Sequence, residues 1–189
     1  HLHHPQNDVR DNTFDKNDLY NLIQQFYAKI STQQENDVDK TEINQWFAFL
    51  REVKTAEELV LMRKAISITC DAQIELMKAM KTDMKEYEAE AIVEYVFKKN
   101  GAEYPGFPTI MGSGENSCVL HYVSNRKTMK GNNLLVSDVG AEYHGYTADV
   151  SRTIPVDGHF SEEEALIYNI VFKAQQAGIA ASRAGNRFW

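Results

Sequence analysis

The segment Tyr104-Pro105-Gly106-Phe107-Pro108 divides this 189-residue chain into two textures. Two prolines with a glycine between them do not fit inside a helix, because proline lacks the backbone donor and its ring collides with the preceding turn. Ahead of the break the patterns are helical. Thr55-Ala56-Glu57-Glu58 is a capping box, in which the Thr hydroxyl accepts from the N3 amide and Glu58 reaches back to the N-cap amide. Leu59, Met62, Ile66, Thr69, Gln73 and Met77 follow at spacings of three and four and predict a long helix over 56–80. A second helix is expected over 86–100, burying Ala89, Val93, Val96 and Phe97, with Gly101 ending it in the left-handed C′ position. Further upstream, Leu19, Leu22, Ile23, Phe26 and Ile30 predict a short amphipathic helix over 18–30, and 31–40 reads as a polar linker. Trp46, Phe47, Phe49, Leu50 and Val53 form an apolar cluster, read as an edge of the main domain or a remnant of a preceding one.

Beyond the break, 109–112 and 118–123 read as strands joined through Gly112-Ser113-Gly114, and 134–141 and 146–155 as two more. Ser161-Glu162-Glu163-Glu164 is another capping box, opening a helix to about Ala181. Helices, then strands, then a helix, with no repeated strand–helix alternation, predict an α+β fold. Its sheet should be antiparallel, with the helices 56–80, 86–100 and 162–181 packed on one side.

Composition narrows the function. The chain is 43% hydrophobic and 25% charged, as a globular domain with one good core would be. A formal charge of −7 argues against nucleic-acid and anionic-membrane partners, which need a basic patch. No apolar run is long enough to span a bilayer, and His1-Leu2-His3-His4-Pro5 does not read as a signal peptide. Two lone cysteines, Cys70 and Cys118, fit a reducing compartment, and hence the cytoplasm, better than a disulfide scaffold.

The chemistry concentrates in 136–153. If Tyr143-His144 are the central residues of a tight turn, Asp138 and Asp149 lie directly opposite each other on one face, with Cβ atoms ~4.5–5.5 Å apart. Two ionised carboxylates that close repel. Either one takes a proton or a cation lies between them, and a pair of divalent ions needs a bridging carboxylate of this kind. The pattern alone leaves open that one aspartate is a surface or turn carboxylate. Asp138, however, sits amid Leu134, Leu135, Val136, Val139 and Ala141, where a buried carboxylate needs a partner. His121, in Cys118-Val119-Leu120-His121-Tyr122-Val123, is either a packed strand histidine or a donor and proton carrier beside a metal site. Gly112-Ser113-Gly114-Glu115-Asn116 has no following Lys-Ser/Thr and opens no helix, so it is not a phosphate loop. His144 is placed at a turn tip, Cys70 on a helix face in the core, and Cys118 lacks an activating neighbour in sequence.

At these residues the chain resembles the proline-specific aminopeptidases of the pita-bread metallopeptidase family. The matching pieces occur in the family's order: Leu50-Arg51-Glu52-Val53-Lys54-Thr55, Asn100-Gly101-Ala102-Glu103-Tyr104-Pro105, Gly112-Ser113-Gly114-Glu115-Asn116, Leu120-His121-Tyr122, Asp138-Val139-Gly140-Ala141-Glu142-Tyr143, and Gly145-Tyr146-Thr147-Ala148-Asp149-Val150-Ser151-Arg152-Thr153. The resemblance spans about residues 46–189. It implies a two-layer α+β fold with a dinuclear metal cleft, usually holding manganese. It implies Asp138 and Asp149 as the first two ligands, with Asp149 bridging both ions, and His121 as a substrate contact that helps stabilise the tetrahedral intermediate. The implied reaction releases the N-terminal residue from a peptide with proline in second position, by attack of a metal-bridging hydroxide.

The family's remaining ligands, one His and two Glu, lie downstream of the helix ending near Ala181. Residues 51–189 therefore read as the first half of a pita-bread catalytic domain, and 1–50 as a lead-in or remnant of the N-terminal domain. Glu162, Glu163, Glu164 and His159 do not replace the missing ligands, because they sit beyond the hairpin at a helix start. A half-domain exposes apolar surface, so a homo-oligomer is expected. The alternatives are a non-catalytic pita-bread binding protein and a related enzyme, such as a prolidase or a methionine aminopeptidase.

Overall fold

The computed structural model describes residues 19–30 and 42–187. The expected linker 31–40, together with His3 and His4, lies outside the described residues. The chain divides into two units, His1–Thr55 and Ala56–Trp189. In the first, α1 spans Leu19–Ile30 and α2 spans Glu42–Glu52. The apolar cluster anticipated around Trp46 falls on α2 and just after it, but no α2 residue is buried, and Phe49 is 79% exposed.

In the second unit, α3 (Ala56–Ala79) and α4 (Glu86–Lys99) pack against each other and against the strands. The buried face of α3 is Ala65, Ile68, Thr69, Ala72, Gln73 and Leu76. Leu59, Ile66 and Met77, expected on that face, are each more than 40% exposed. The face is rotated because two alanines permit close approach, while Thr69 and Gln73 are needed there for hydrogen bonds described below. On α4 the four predicted core residues are all buried. Its end closes with the Gly101 amide donating to Lys98 O and the Ala102 amide to Phe97 O, with Gly101 at φ +87°.

The strands form two antiparallel three-stranded sheets. One, in the order β2–β3–β6, joins Ile110–Ser113, Leu134–Val139 and Val150–Pro155. The other, in the order β1–β4–β5, joins Tyr104–Pro105, Ala141–Tyr143 and Tyr146–Thr147. The run expected as one strand over 134–141 is therefore broken at Gly140, and that expected over 146–155 at Ala148-Asp149. At the break the two backbones nearly touch. A Cβ on Gly140 would overlap the Ala148 carbonyl oxygen and come within 2.8 Å of Phe107 Cε1. The Ala148 amide still donates to Ala141 O (3.1 Å), so the halves remain one interrupted hairpin. Its tip is His144-Gly145, both at positive φ (50° and 86°), as a two-residue type I′ turn requires.

The strand expected over 118–123 does not form. Gly114–Cys118 is a 3₁₀ turn, and 119–123 is irregular, with His121 at φ +54°. The helix over Glu162–Ala181, α5, has the predicted boundaries and capping box. It does not join α3 and α4. None of its residues is buried, and it borders the outer face of β3 and β6, leaving an open groove of about 610 Å³ along Leu134, Ser151 and Thr153. Among the described residues no helix is long and apolar enough to cross a membrane.

The backbone crossing makes Gly140 the residue least tolerant of a side chain. Gly140→Ala is expected to cost about 3 kcal/mol in urea unfolding, since backbone rather than a movable side chain must give way. Gly145→Ala meets open space and should cost about 1 kcal/mol for its positive φ alone. Equal costs at the two positions would contradict the crossing.

Candidate metal centre

Both aspartates stem from the interrupted hairpin. Along β3, Leu135, Ser137 and Val139 are buried, which puts Asp138 on the opposite face with Leu134 and Val136. Its partner across the ladder is Ser151, whose hydroxyl donates to Asp138 Oδ1 at 2.8 Å. The direct opposition of Asp138 and Asp149 expected from sequence therefore does not occur. The turn lies one residue later than expected, because Gly145 supplies the second positive φ, and the pairing partner of Asp138 moves by two residues. A slip of two leaves every side chain on its original face. Asp149 consequently stays beside Asp138, diagonally, in the interruption opposite Gly140.

The two carboxylates sense each other. Partial desolvation, then the Asp138 charge, then a hydrogen bond shared with Asp138 push the Asp149 carboxyl above its ordinary range. Asp149 is nonetheless exposed, so a cation can reach it. Two carboxylates set side by side with one face open are a hard oxygen donor set, and a divalent cation fits them. Among the described residues no group of three or more His, Cys, Asp and Glu side chains could hold a metal. The described residues thus offer a pair of neighbouring carboxylates, not a closed cage.

His121 is not part of that pair. It lies exposed in the loop between β2 and β3, one residue before Tyr122. His144 sits at the hairpin tip, its Nδ1 2.7 Å from Glu103 Oε1. His159 is in the turn before α5, where its amide donates to Asp157, and Glu164 completes the cap of Ser161. Cys118 is exposed at the end of the 3₁₀ turn, and Cys70 is half-buried on α3.

Three residues that support the site had no reading in the sequence beyond helix pattern. Thr69 Oγ1 accepts from the Ala141 amide at 2.9 Å, and Gln73 Nε2 donates to Val150 O at 2.9 Å. Both satisfy backbone groups at the strand break, where the ladder offers no partner. Glu86 is fully buried at the start of α4. Burial pushes its carboxyl up, but donors from Ser113, Lys127 and Tyr122 outweigh this and hold it below the ordinary range. The only cue in the sequence was an acid in a helix's first turn, which usually serves the helix dipole.

The family model for metallopeptidase family M24 matches residues 60–189. The chain belongs to metallopeptidase family M24. It is 38% identical over 136 residues to the Xaa-Pro aminopeptidase of Escherichia coli, covering 72% of this chain and 31% of that protein. It is 34% identical over 166 residues to the Xaa-Pro dipeptidase of Pyrococcus furiosus, covering 88% and 46% respectively. Among solved structures it matches zinc-substituted E. coli aminopeptidase P in complex with product, with a TM-score of 0.70 at 38% identity over 71% of this chain and 30% of that one. The mixed architecture thus agrees with the pita-bread fold expected from sequence. The chain spans about a third of the length of the curated aminopeptidases it matches. As an M24 chain, it is a metallopeptidase segment for which a divalent ion is the expected cofactor.

The raised Asp149 carboxyl has a consequence for stability. The folded chain holds a proton that the unfolded chain releases, so ν in the native state exceeds that in the unfolded state. Metal-free stability therefore falls as pH rises from the ordinary aspartate range through the raised value. Asp138→Asn removes the neighbouring charge. In chemical denaturation without metal, it should be more stable than wild type at about pH 7, and the difference should vanish below the ordinary aspartate pKa of about 4. Excess Mn²⁺ should reverse the order, because the cation needs both charges. Equal stability at neutral pH would show that the carboxylates do not repel.

Proposed function

We propose that this chain is the first half of the catalytic domain of a dinuclear metal-dependent aminopeptidase that releases the N-terminal residue from peptides with proline in second position. The observation carrying this reading is the Asp138–Asp149 pair, in which the Asp138 charge bears on the Asp149 carboxyl, in a chain 38% identical to an Xaa-Pro aminopeptidase. A binding module has no use for neighbouring carboxylates, one of which makes the ionisation of the other more costly. Residues 51–189 are assigned to the half-domain and 1–50 to a lead-in, with the remaining ligands supplied from elsewhere in the complete protein.

In this reading Asp138 and Asp149 hold two divalent ions, assigned as Mn²⁺, which supply polarisation of the scissile carbonyl and activation of water. Asp149 would serve as a ligand to both ions, and Asp138 to one. Ser151 keeps Asp138 oriented through its hydroxyl. His121, exposed and not engaged as a ligand, is free to meet the substrate beside the scissile bond and to donate to the oxygen that gains charge there. The leaving nitrogen belongs to a proline ring and must receive a proton. The two cysteines, both free, fit a reducing compartment, and we place the protein in the cytoplasm. The exposed apolar residues of α5 favour a homo-oligomer or coverage by the rest of the domain. A second reading, a dipeptidase acting on Xaa-Pro dipeptides, draws support from the match to the P. furiosus dipeptidase.

The experiment is made on the full-length parent with Mn²⁺. Asp149→Asn should reduce Xaa-Pro peptide cleavage to background, since a neutral amide is a poor bridge between two cations. His121→Ala should slow turnover about a hundredfold while bound metal is unchanged. Cleavage of Xaa-Pro dipeptides but not of longer peptides selects the dipeptidase reading. Retention of full activity in Asp149→Asn, or robust turnover by residues 1–189 alone, would overturn the assignment.

A further inference from the structure

The loop that carries His121 has almost no regular structure of its own. Between the 3₁₀ turn at Gly114–Cys118 and β3 at Leu134, its one backbone bridge is at Thr128. Yet its course is tightly defined. One oxygen of the Glu86 carboxylate accepts from the Ser113 amide (2.9 Å), the Ser113 hydroxyl (2.7 Å) and the Asn116 side-chain amide (3.2 Å). The other accepts from the Tyr122 hydroxyl (2.8 Å) and the Lys127 amide (2.9 Å). The entry, middle and exit of the loop are thus tied to one carboxylate. Glu86 is itself fixed, because its own amide donates to Lys127 O at 3.0 Å.

What this arrangement presents is unusual for a surface loop. Leu120 is 92% exposed, and His121 follows it in the left-handed region. A buried carboxylate with five donors is a costly way to hold a loop, since every donor must be in place to offset its desolvation. The expense is understandable if the loop's geometry matters to within a fraction of an ångström. Tyr122, the residue next to His121, is the one side chain in the middle of the loop that the carboxylate grips.

We propose that Glu86 is a positioning residue: through Tyr122 and Lys127 it fixes the loop 114–127 and thereby aims His121 at the substrate. The assignment rests on the aminopeptidase reading for the substrate contact of His121, and on the hydrogen bonds alone for the loop.

The test uses the full-length parent and the variants Glu86→Gln, Tyr122→Phe, His121→Ala and the double Glu86→Gln/His121→Ala. A glutamine keeps an acceptor for Ser113 but turns a donor toward Tyr122 and Lys127, which themselves donate. With Mn²⁺ content unchanged, Glu86→Gln should lower kcat on an Xaa-Pro peptide by about ten- to a hundredfold, with KM changing less. Tyr122→Phe, which removes the hydroxyl that donates to Glu86, should fall in the same direction by a smaller factor. In the His121→Ala background Glu86→Gln should cost no further kcat, because the group it aims is gone. An equal loss in both backgrounds would mean that Glu86 serves only the fold, and would overturn the proposal. Hydrogen exchange supplies an arm that needs no activity: Glu86→Gln should speed exchange in 114–127 and leave 138–150 unchanged. Unchanged exchange in 114–127 overturns the proposal even if kcat falls. If the wild-type parent cleaves no Xaa-Pro peptide, the aminopeptidase reading fails, and the exchange arm decides whether Glu86 holds the loop.

Discussion

The near-contact between Gly140 and the Ala148 carbonyl is the constraint on which the rest of the second unit depends. It interrupts a hairpin that would otherwise run from Leu134 to Pro155 and divides it between two sheets. It also leaves Asp149 outside any ladder, opposite Gly140 and on the face that carries Asp138. The Gly106 amide donates to Gly140 O at 2.9 Å, so the proline-bounded segment that ends the helical half of the chain braces the same crossing. A break of this kind strands backbone donors and acceptors, and α3 supplies what they lack: the Thr69 hydroxyl for Ala141 and the Gln73 amide for Val150. The polar residues on the buried face of α3 thus serve the strand break beside which Asp149 lies.

Two carboxylates show opposite uses of burial. Glu86 is wholly enclosed but meets five donors, so its ionised form is favoured and it acts as a fixed anchor. Its stabilising contribution is present above the ordinary glutamate pKa and is lost as pH falls through its lowered folded value. Asp149 is more exposed, but has a like charge beside it and no cationic partner among the described residues, so its ionised form is disfavoured. A satisfied carboxylate is architecture. A carboxylate with a like charge beside it is stabilised by charge of the opposite sign, which is the basis of the metal assignment proposed above.

Much of this was legible in the sequence because local rules suffice for it. The capping box at Ser161 and the glycine at 101 fix helix ends through backbone groups a few residues away. The aspartate pair was legible for a subtler reason. The turn was placed at Tyr143-His144 when the His-Gly pair, with Gly145 tolerant of positive φ, marked it one residue later. The resulting error of two in register preserved the faces, so the two aspartates were still expected as neighbours despite the wrong pairing. What sequence could not reveal was long-range satisfaction. Residues 118–123 alternate like a strand, but Ser113, Tyr122 and Lys127 are drawn to Glu86, twenty-seven or more residues away, and the loop follows them. Helix α5 has a clean cap and a strongly apolar run, yet which surface it meets depends on tertiary packing that periodicity does not encode.

Asp138 and Asp149 are proposed as two ligands of one dinuclear centre, held together by the interrupted hairpin. Anomalous diffraction from manganese-soaked crystals of the full-length parent tests it directly. The account predicts two peaks about 3.5–4 Å apart, with the Asp149 carboxylate touching both and Asp138 touching one. Manganese bound elsewhere, or an Asp149 side chain turned away from the ions that Asp138 holds, would contradict it.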